Sequence, residues 1–495
     1  MISSTPEWIA RSVSRLRTAA PAADKAGDKL AKAALDKTVT DVVAKVAVPR
    51  STHERLQATL RRGQEALSPR AVRRLLADLQ EVVAPQVSEI EGGRRAQVVA
   101  DWYAKAEPEE RRDMWLLMCE QFAPDATRFK SARQRYEAAA GTAEEGQAEI
   151  SLRRALVSPR TRLLQRFSAF PEGMRFLVDM RAEILPLLKA DKRLLPLDAE
   201  LEHLFSTWFD VAFLELRRLS WDSPASLLEK LIKYEAVHDI RSWADLKNRL
   251  DSDRRCYGFF HPRLPGEPLI FVEVALLDKI SSSITPLLDE AAAPVDITRA
   301  TTAIFYSISN TQTGLRGVSF GDSLIKHVVE TLTAEFPRLR TFATLSPIPG
   351  FRAWLGKHAG AMLDRLDDKR RSELGRAVGF EPPQATHFLG ALDKALELDA
   401  KSPVRQMLLE CAAYYLGREL QEGKPADPVA RFHLGNGARV ERLNWAGDPS
   451  SKGQKQSYGL MVNYLYDLKR IDKHRSLLAQ GKVPVSGDID SLCRD

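Results

Sequence analysis

The chain has 495 residues, too many for one core, and at roughly 100–200 residues per domain two or three domains are expected. Hydrophobic residues make up 44% and charged residues 28%, a mix that excludes wholesale disorder. Lysine plus arginine is 73 and aspartate plus glutamate 66; the net +7 is too small over this length to favour a nucleic acid over an anionic small ligand.

Cys119, Cys256, Cys411 and Cys493 are widely scattered. None has CxxC spacing, which removes a zinc ribbon and a thioredoxin-type site, and they read as reduced thiols. No apolar run approaches the ~18 residues that cross a bilayer. The start, MISSTPEWIARSVSRLRTAA, lacks a continuous apolar core, and the final SLCRD is not a peroxisomal tripeptide. A cytoplasmic location is therefore expected.

The first part of the chain reads as helix. Residues 20–50, rich in alanine, lysine and aspartate, predict a mobile or lightly packed segment. Ser68-Pro69 opens a helix, because serine caps and proline fits the first turn. Val72, Leu75, Leu76, Leu79 and Val83 recur at helical spacing. Arg70, Arg73 and Arg74 fall on the other face and read as solvated. Further helices are expected over Arg111–Phe122, Ser158–Phe167, Pro171–Leu185 and Trp208–Trp221.

From about residue 205, helix and strand patterns alternate. Pro268–Leu277 (PLIFVEVALL) and Thr302–Ser309 (TAIFYSIS) read as strands, and Phe320–Phe336 as a helix. Thr341–Leu345, Ala438–Trp445 and Tyr458–Leu468 read as three more strands. No repeat of fixed period is visible, so a solenoid is disfavoured. The expectation is an all-helical N-terminal domain, 1–204, followed by an α/β domain, 205–495.

Between the second strand and its helix lies NTQTGLRGVSFG, Asn310 to Gly321. Glycines let the backbone approach a ligand, and the helix N-terminus behind them seats a phosphate. It is neither a Walker loop nor the dinucleotide fingerprint, and a purely structural turn is an equal reading. Ser346 before proline, taken alone, reads as a turn or capping serine. His433 before Gly435-Asn436-Gly437 reads alone as a loop residue. Glu235 and His238 sit three apart on a presumed helix and read as a surface pair. Tyr464 and Tyr466 alternate about Leu465 and share one strand face, either as channel lining or as core. Cys411 reads as a core thiol. No GxSxG elbow accompanies Ser346, which disfavours a serine hydrolase.

Arg316, Gly317, Val318, Ser319, Phe320 and Gly321 resemble the pyrophosphate loop of GNAT-type acyltransferases, [QR]-x-x-G-x-[GA]. Ser319 departs from the usual first glycine. Further segments narrow the likeness: GEPL (266–269), FYSIS (305–309), LSPIPGF (345–351), FHLGNGA (432–438), RLNW (442–445) and GLMVNYLY (459–466). Together they resemble malonyl-CoA decarboxylase over about residues 205–468. The resemblance implies a helical oligomerisation domain, giving a dimer or tetramer, and a GNAT-like catalytic domain that turns malonyl-CoA into acetyl-CoA and carbon dioxide. It implies catalysis by Ser346 and His433, and coenzyme A binding by the loop through Asp322. Loss of carbon dioxide leaves an enolate for which the thioester is itself the electron sink. No separate cofactor, metal, nucleic acid or membrane is then expected. The competing expectations are an N-acyltransferase using the same loop and a non-enzymatic helical scaffold.

Overall fold

The computed structural model describes residues 66–318 and 324–493. The expected segment 20–50 and Ser319, Phe320, Gly321 and Asp322 of the glycine-rich loop lie outside the described residues.

Helices follow one another up to Trp208: α1 (Pro69–Val82), α2 (Glu89–Lys105), α3 (Pro108–Gln121), α4 (Ala126–Ala139), α5 (Glu145–Leu156), α6 (Pro159–Phe167), α7 (Gly173–Ile184) and α8 (Leu195–Trp208). Ser68 and Ser158 cap α1 and α6: their hydroxyls accept from Ala71 N and Thr161 N, each at 3.3 Å. In α1 Val72, Leu75, Leu76 and Leu79 are buried while Arg70, Arg73 and Arg74 stay exposed, as the spacing predicts; Val83 falls one residue past the helix and is half-buried, and Val82 is buried instead. α2, α4 and α5 escape the sequence reading because their stripes are weak. α4 buries only Ala132 and α5 only Ala155.

The described residues separate into two compact units. The smaller holds those up to Leu76 together with Ala106–Ala123; the larger holds Ala77–Lys105 and everything from Pro124 onward. In the smaller unit, buried Asp113 accepts the N–H groups of Ala66 and Leu67, each at 2.9 Å.

The larger unit carries the sheet. One expectation is corrected at its edge: Trp208–Trp221 is not one helix. α8 ends at Trp208, and β1 (Glu215–Leu219) pairs antiparallel with β2 (Arg254–Phe260). The arginines of β1 obscured the strand pattern, yet Arg217 lies 4.8 Å above the Phe260 ring. α9 (Ala225–Tyr234) and α10 (Trp243–Arg249) come between these strands. β3 (Pro268–Leu277) and β4 (Thr302–Asn310) extend the antiparallel meander, with the short α11 (Thr285–Leu288) between them. Nine of the ten residues of β3 are buried, so both faces are covered, as its unbroken apolar run requires.

α12 (Leu324–Glu335) then crosses over to β5 (Thr341–Thr344), which is parallel to β4. β6 (Ser346–Pro347) follows at once. The sheet is completed by β9 (Arg439–Asn444) and β10 (Met461–Leu465), and β10 lies antiparallel to β5, β6 and β9. β7 (Leu420–Gln421) and β8 (Lys424–Pro425) form a separate hairpin.

Two irregularities create a cleft. The ladder between β4 and β5 runs only to Phe305 opposite Thr344, closed by Leu345 N donating to Phe305 O at 2.9 Å. At the same height β4 bulges against β3: Phe305 faces Val274 and Ser307 faces Glu273, leaving Tyr306 as the extra residue. Beyond this point β4 runs on to Asn310 while β5 gives way to β6. An antiparallel meander, a helical crossover and a parallel strand that parts from β4 make the GNAT-like α/β arrangement expected after the helical part.

Candidate active site

The cleft between the parted strands has a volume of about 240 Å³. β4 supplies one wall with Phe305, Tyr306, Ser307, Ile308 and Asn310; Ser346 and Pro347 supply the other, and Pro428, Val429, Phe432 and His433 close it. Ser346 and His433 thus come together from positions 87 residues apart, with Oγ and Nε2 separated by 3.2 Å.

Ser346 is held by its strand and by Thr344. Val462 of β10 pairs with Ser346, and proline at 347 keeps the serine extended. Its hydroxyl donates to Thr344 Oγ1 at 2.9 Å, and the same oxygen accepts Tyr464 N at 3.1 Å. Thr344 O accepts Asn463 Nδ2 at 2.7 Å; Asn463 Oδ1 accepts Asn444 Nδ2 at 2.8 Å; Asn444 Oδ1 accepts Arg442 Nε at 2.9 Å. The RLNW and GLMVNYLY segments therefore meet as one row of side chains behind Thr344, which is a supporting role.

His433 stands in the last turn of a helix, Pro428–Gly435, that begins at Asp427. Asp427 Oδ1 accepts Val429 N and Ala430 N at 2.9 and 3.0 Å, and its Oδ2 accepts Gly350 N at 3.2 Å. One carboxylate therefore fixes both the start of the histidine's helix and the loop after Ser346. Burial pushes the Asp427 carboxyl above its ordinary range.

The imidazole is buried, with 3% of its residue surface exposed. Its ring stacks on Tyr464, centroids 4.7 Å apart and planes 27° apart. Its Nδ1 lies 2.8 Å from the Tyr466 hydroxyl. Burial alone lowers its pKa from 6.5 to about 3, so the free protein holds it neutral. The Tyr466 hydroxyl is pushed well above its ordinary pKa, also by burial, and stays protonated. Tyr464 and Tyr466, left open between channel and core, are the residues that hold the histidine.

Glu235 and His238 are not a surface pair on one helix. α9 ends at Tyr234, and both residues are buried. Glu235 Oε1 accepts the backbone N–H groups of Val237 and His238 at 2.8 and 2.9 Å, not the imidazole. Ser307 Oγ donates to both Glu235 oxygens at 2.7 and 2.8 Å. Glu235 thus ties the loop after α9 to the cleft wall. Cys411 is a core thiol, with no exposed surface.

The glycine-rich loop starts where the β4 wall ends. Arg316 and Gly317 are exposed and Val318 is buried. Gly317 has φ of +82°, a conformation that requires glycine. Sequence reasoning missed Thr344 and Asp427. The second was findable, since aspartate before proline marks a helix start.

Residues 122–209 match the family described as Malonyl-CoA decarboxylase N-terminal domain, and residues 212–495 its C-terminal domain. The mitochondrial malonyl-CoA decarboxylase of Mus musculus is 36% identical over 419 residues, covering 81% of this chain and 85% of that protein. The crystal structure of malonyl-CoA decarboxylase from Rhodopseudomonas palustris is 40% identical with a TM-score of 0.73, covering 85% of this chain and 99% of that one. The enzyme from Cupriavidus metallidurans is 44% identical with a TM-score of 0.69, covering 86% and 100%.

Proposed function

The chain belongs to the malonyl-CoA decarboxylase family and is a carboxy-lyase of that family; on this premise we propose how its cleft converts malonyl-CoA to acetyl-CoA and carbon dioxide. The observation that carries the reading is the buried row of hydrogen-bonding groups, Ser346, His433 and Tyr466, opening on the cleft between β4 and β6.

The malonyl group enters with its carboxylate towards Ser346 and His433. An anion brought into a dry site favours the imidazolium, so His433 takes up a proton as substrate binds. The bond between the carboxylate carbon and the methylene breaks. Its electron pair moves onto the thioester, giving carbon dioxide and an enolate. Backbone donors on the β4 edge past Phe305 stabilise the enolate oxygen. His433 returns its proton to the methylene carbon, directly or through the Ser346 hydroxyl, and acetyl-CoA forms. The thioester is the electron sink, so the reaction uses no further cofactor.

The loop from Arg316 through Gly317, Val318, Ser319, Phe320 and Gly321 to Asp322 holds the coenzyme A diphosphate. The glycine pattern and the positive φ of Gly317 support this role. Gly317→Val should raise KM for malonyl-CoA strongly; normal affinity in the folded variant removes the assignment. The N-terminal region, 1–204, carries the contacts of a homo-oligomer, dimer or tetramer. Exposed Ile90, Val98 and Val157 support this. Light scattering showing a monomer at micromolar concentration would contradict it. The protein works in the cytoplasm, in keeping with four cysteines scattered along the chain, no two at CxxC spacing. No helix of the described residues is long and apolar enough to cross a membrane.

Incubation with malonyl-CoA and no amine tests the whole reading. Acetyl-CoA and carbon dioxide are expected; unchanged thioester would return attention to an N-acyltransferase.

A further inference from the structure

We infer that the helical region builds part of the substrate site, and that Arg181 on α7 is the positioning residue that aims the glycine-rich loop. The inference rests on the reading of that loop as the diphosphate seat and extends it.

Arg181 is only 2% exposed. Its Nη1 donates to two carbonyls of the loop, Gly314 O at 2.8 Å and Arg316 O at 2.9 Å. On its other side, Nε donates to Asp198 Oδ1 of α8 at 2.8 Å. The guanidinium is thus fixed by a carboxylate of the helical layer and in turn fixes the loop. A lysine has no fork and could not hold both carbonyls while keeping the carboxylate.

The orientation that results is the functional point. A trans peptide is planar, with its C=O and N–H pointing in opposite directions. Drawing Arg316 O towards Arg181 turns the Gly317 N–H away from α7. Gly317 is exposed, and among the described residues no atom lies within 4 Å of where its Cβ would sit. An N–H turned away from α7 at an exposed, positive-φ glycine is suited to receive an anion. The Gly314 carbonyl is anchored in the same way, while Leu315 N closes the turn internally on Gln312 O at 3.0 Å.

Packing of the two segments leaves no slack. A Cβ on Gly314 would lie 1.8 Å from Val178 O, so the loop sits directly on the α7 backbone. One and a half turns before Arg181, Arg175 Nη1 donates to Gln312 Oε1 at 2.8 Å. The stretch from Gln312 to Arg316 is therefore held before substrate arrives, and the cost of ordering that stretch is not charged against binding.

Arg181→Met, Arg181→Lys and Asp198→Asn should be assayed with malonyl-CoA and with malonyl-pantetheine, which lacks the diphosphate. Arg181→Met should raise KM for malonyl-CoA by about tenfold, with kcat changed less than twofold. The KM for malonyl-pantetheine should not move. Arg181→Lys and Asp198→Asn should give the same split at smaller size. Equal changes for both substrates, or no change for either, overturn the role of Arg181. Should the Arg181 variants fail to fold, Asp198→Asn decides in the same way. Gly317→Val separates the two readings. If it leaves coenzyme A affinity intact, the diphosphate seat is wrong. If it weakens affinity while the Arg181 and Asp198 variants do not, the seat stands and the positioning role falls.

Discussion

Tyr466 places its hydroxyl 2.8 Å from His433 Nδ1, on the opposite side of the ring from Ser346. The tyrosine therefore sets which imidazole nitrogen faces the substrate cleft with a proton or a lone pair. Tyr466→Phe should lower kcat about tenfold, the rate equivalent of the ~1.4 kcal/mol of one hydrogen bond. KM should stay within twofold, because the glycine-rich loop proposed to seat the diphosphate is untouched. Unchanged kcat would mean that packing alone holds the ring.

Asp427 joins the loop after Ser346 to the helix of His433, segments far apart in sequence. Asp427→Ala should cost about 1–2 kcal/mol of stability for the lost cap and should also slow turnover. Asp427→Asn keeps one acceptor oxygen, enough for the cap, but sets an NH2 against Gly350 N–H, so it should recover most of the stability and little of the turnover. Thermal melts and kcat measured together check this. A stability loss with full activity would show that the Gly350 contact does not position Ser346.

Substrate binding should take up protons. His433 in the free protein has a pKa of about 3 and is neutral at pH 7. A sulfonate analogue of malonyl-CoA, unable to lose carbon dioxide, puts a fixed anion beside it. Calorimetry at pH 7 in buffers of different ionisation enthalpy should report net proton uptake. The uptake should vanish in His433→Asn. No uptake by the parent protein would make the neutral imidazole a partner of Ser346 and not the proton source.

Acid should destabilise the fold partly through the same residue. The folded pKa of His433, about 3, lies below its ordinary 6.5, so folding favours the neutral form. Its stabilisation is complete above pH 6.5 and is lost as pH falls from 6.5 towards 3, at up to ~1.4 kcal/mol per pH unit. His238, lowered by burial to about 4, acts in the same sense. Glu273 acts in the opposite sense: burial, and then the charge of Glu235, raise it to about 8. The informative quantity is therefore a difference. Denaturant unfolding of His433→Asn between pH 6.5 and pH 4 should show a shallower loss than the parent, and equal slopes would contradict the buried neutral state.

The sequence made the sheet's centre legible because its residues answer to one demand. PLIFVEVALL is apolar on both faces and is β3 from end to end. β2 was missed because Arg254 and Arg255 look like surface. Both are buried, paired with Asp253 and Glu335, each at 2.7 Å. β1 was read as helix because its arginines hide alternation in a strand of five residues. At the site, LSPIPGF and FHLGNGA pointed to Ser346 and His433, which the fold brings within 3.2 Å. Thr344 was not legible as a site residue and Asp427 was legible only as a helix start, since their roles at the site exist only once β5, β10 and the histidine's helix meet. The neutral state of His433 was also hidden, because burial set by distant segments has no local signature.

The central claim is that His433 supplies the proton that quenches the enolate, with Ser346 acting in the same unit. The most direct measurement is turnover of malonyl-CoA by His433→Asn, Ser346→Ala and the double variant, with coenzyme A affinity measured alongside. His433→Asn should keep its affinity and lose about 10² or more in kcat, the usual scale for a missing general acid. The double variant should be little slower than the slower single variant, because residues acting as a unit lose their effect together. Near-normal acetyl-CoA formation by His433→Asn, or losses that multiply in the double variant, would contradict the account.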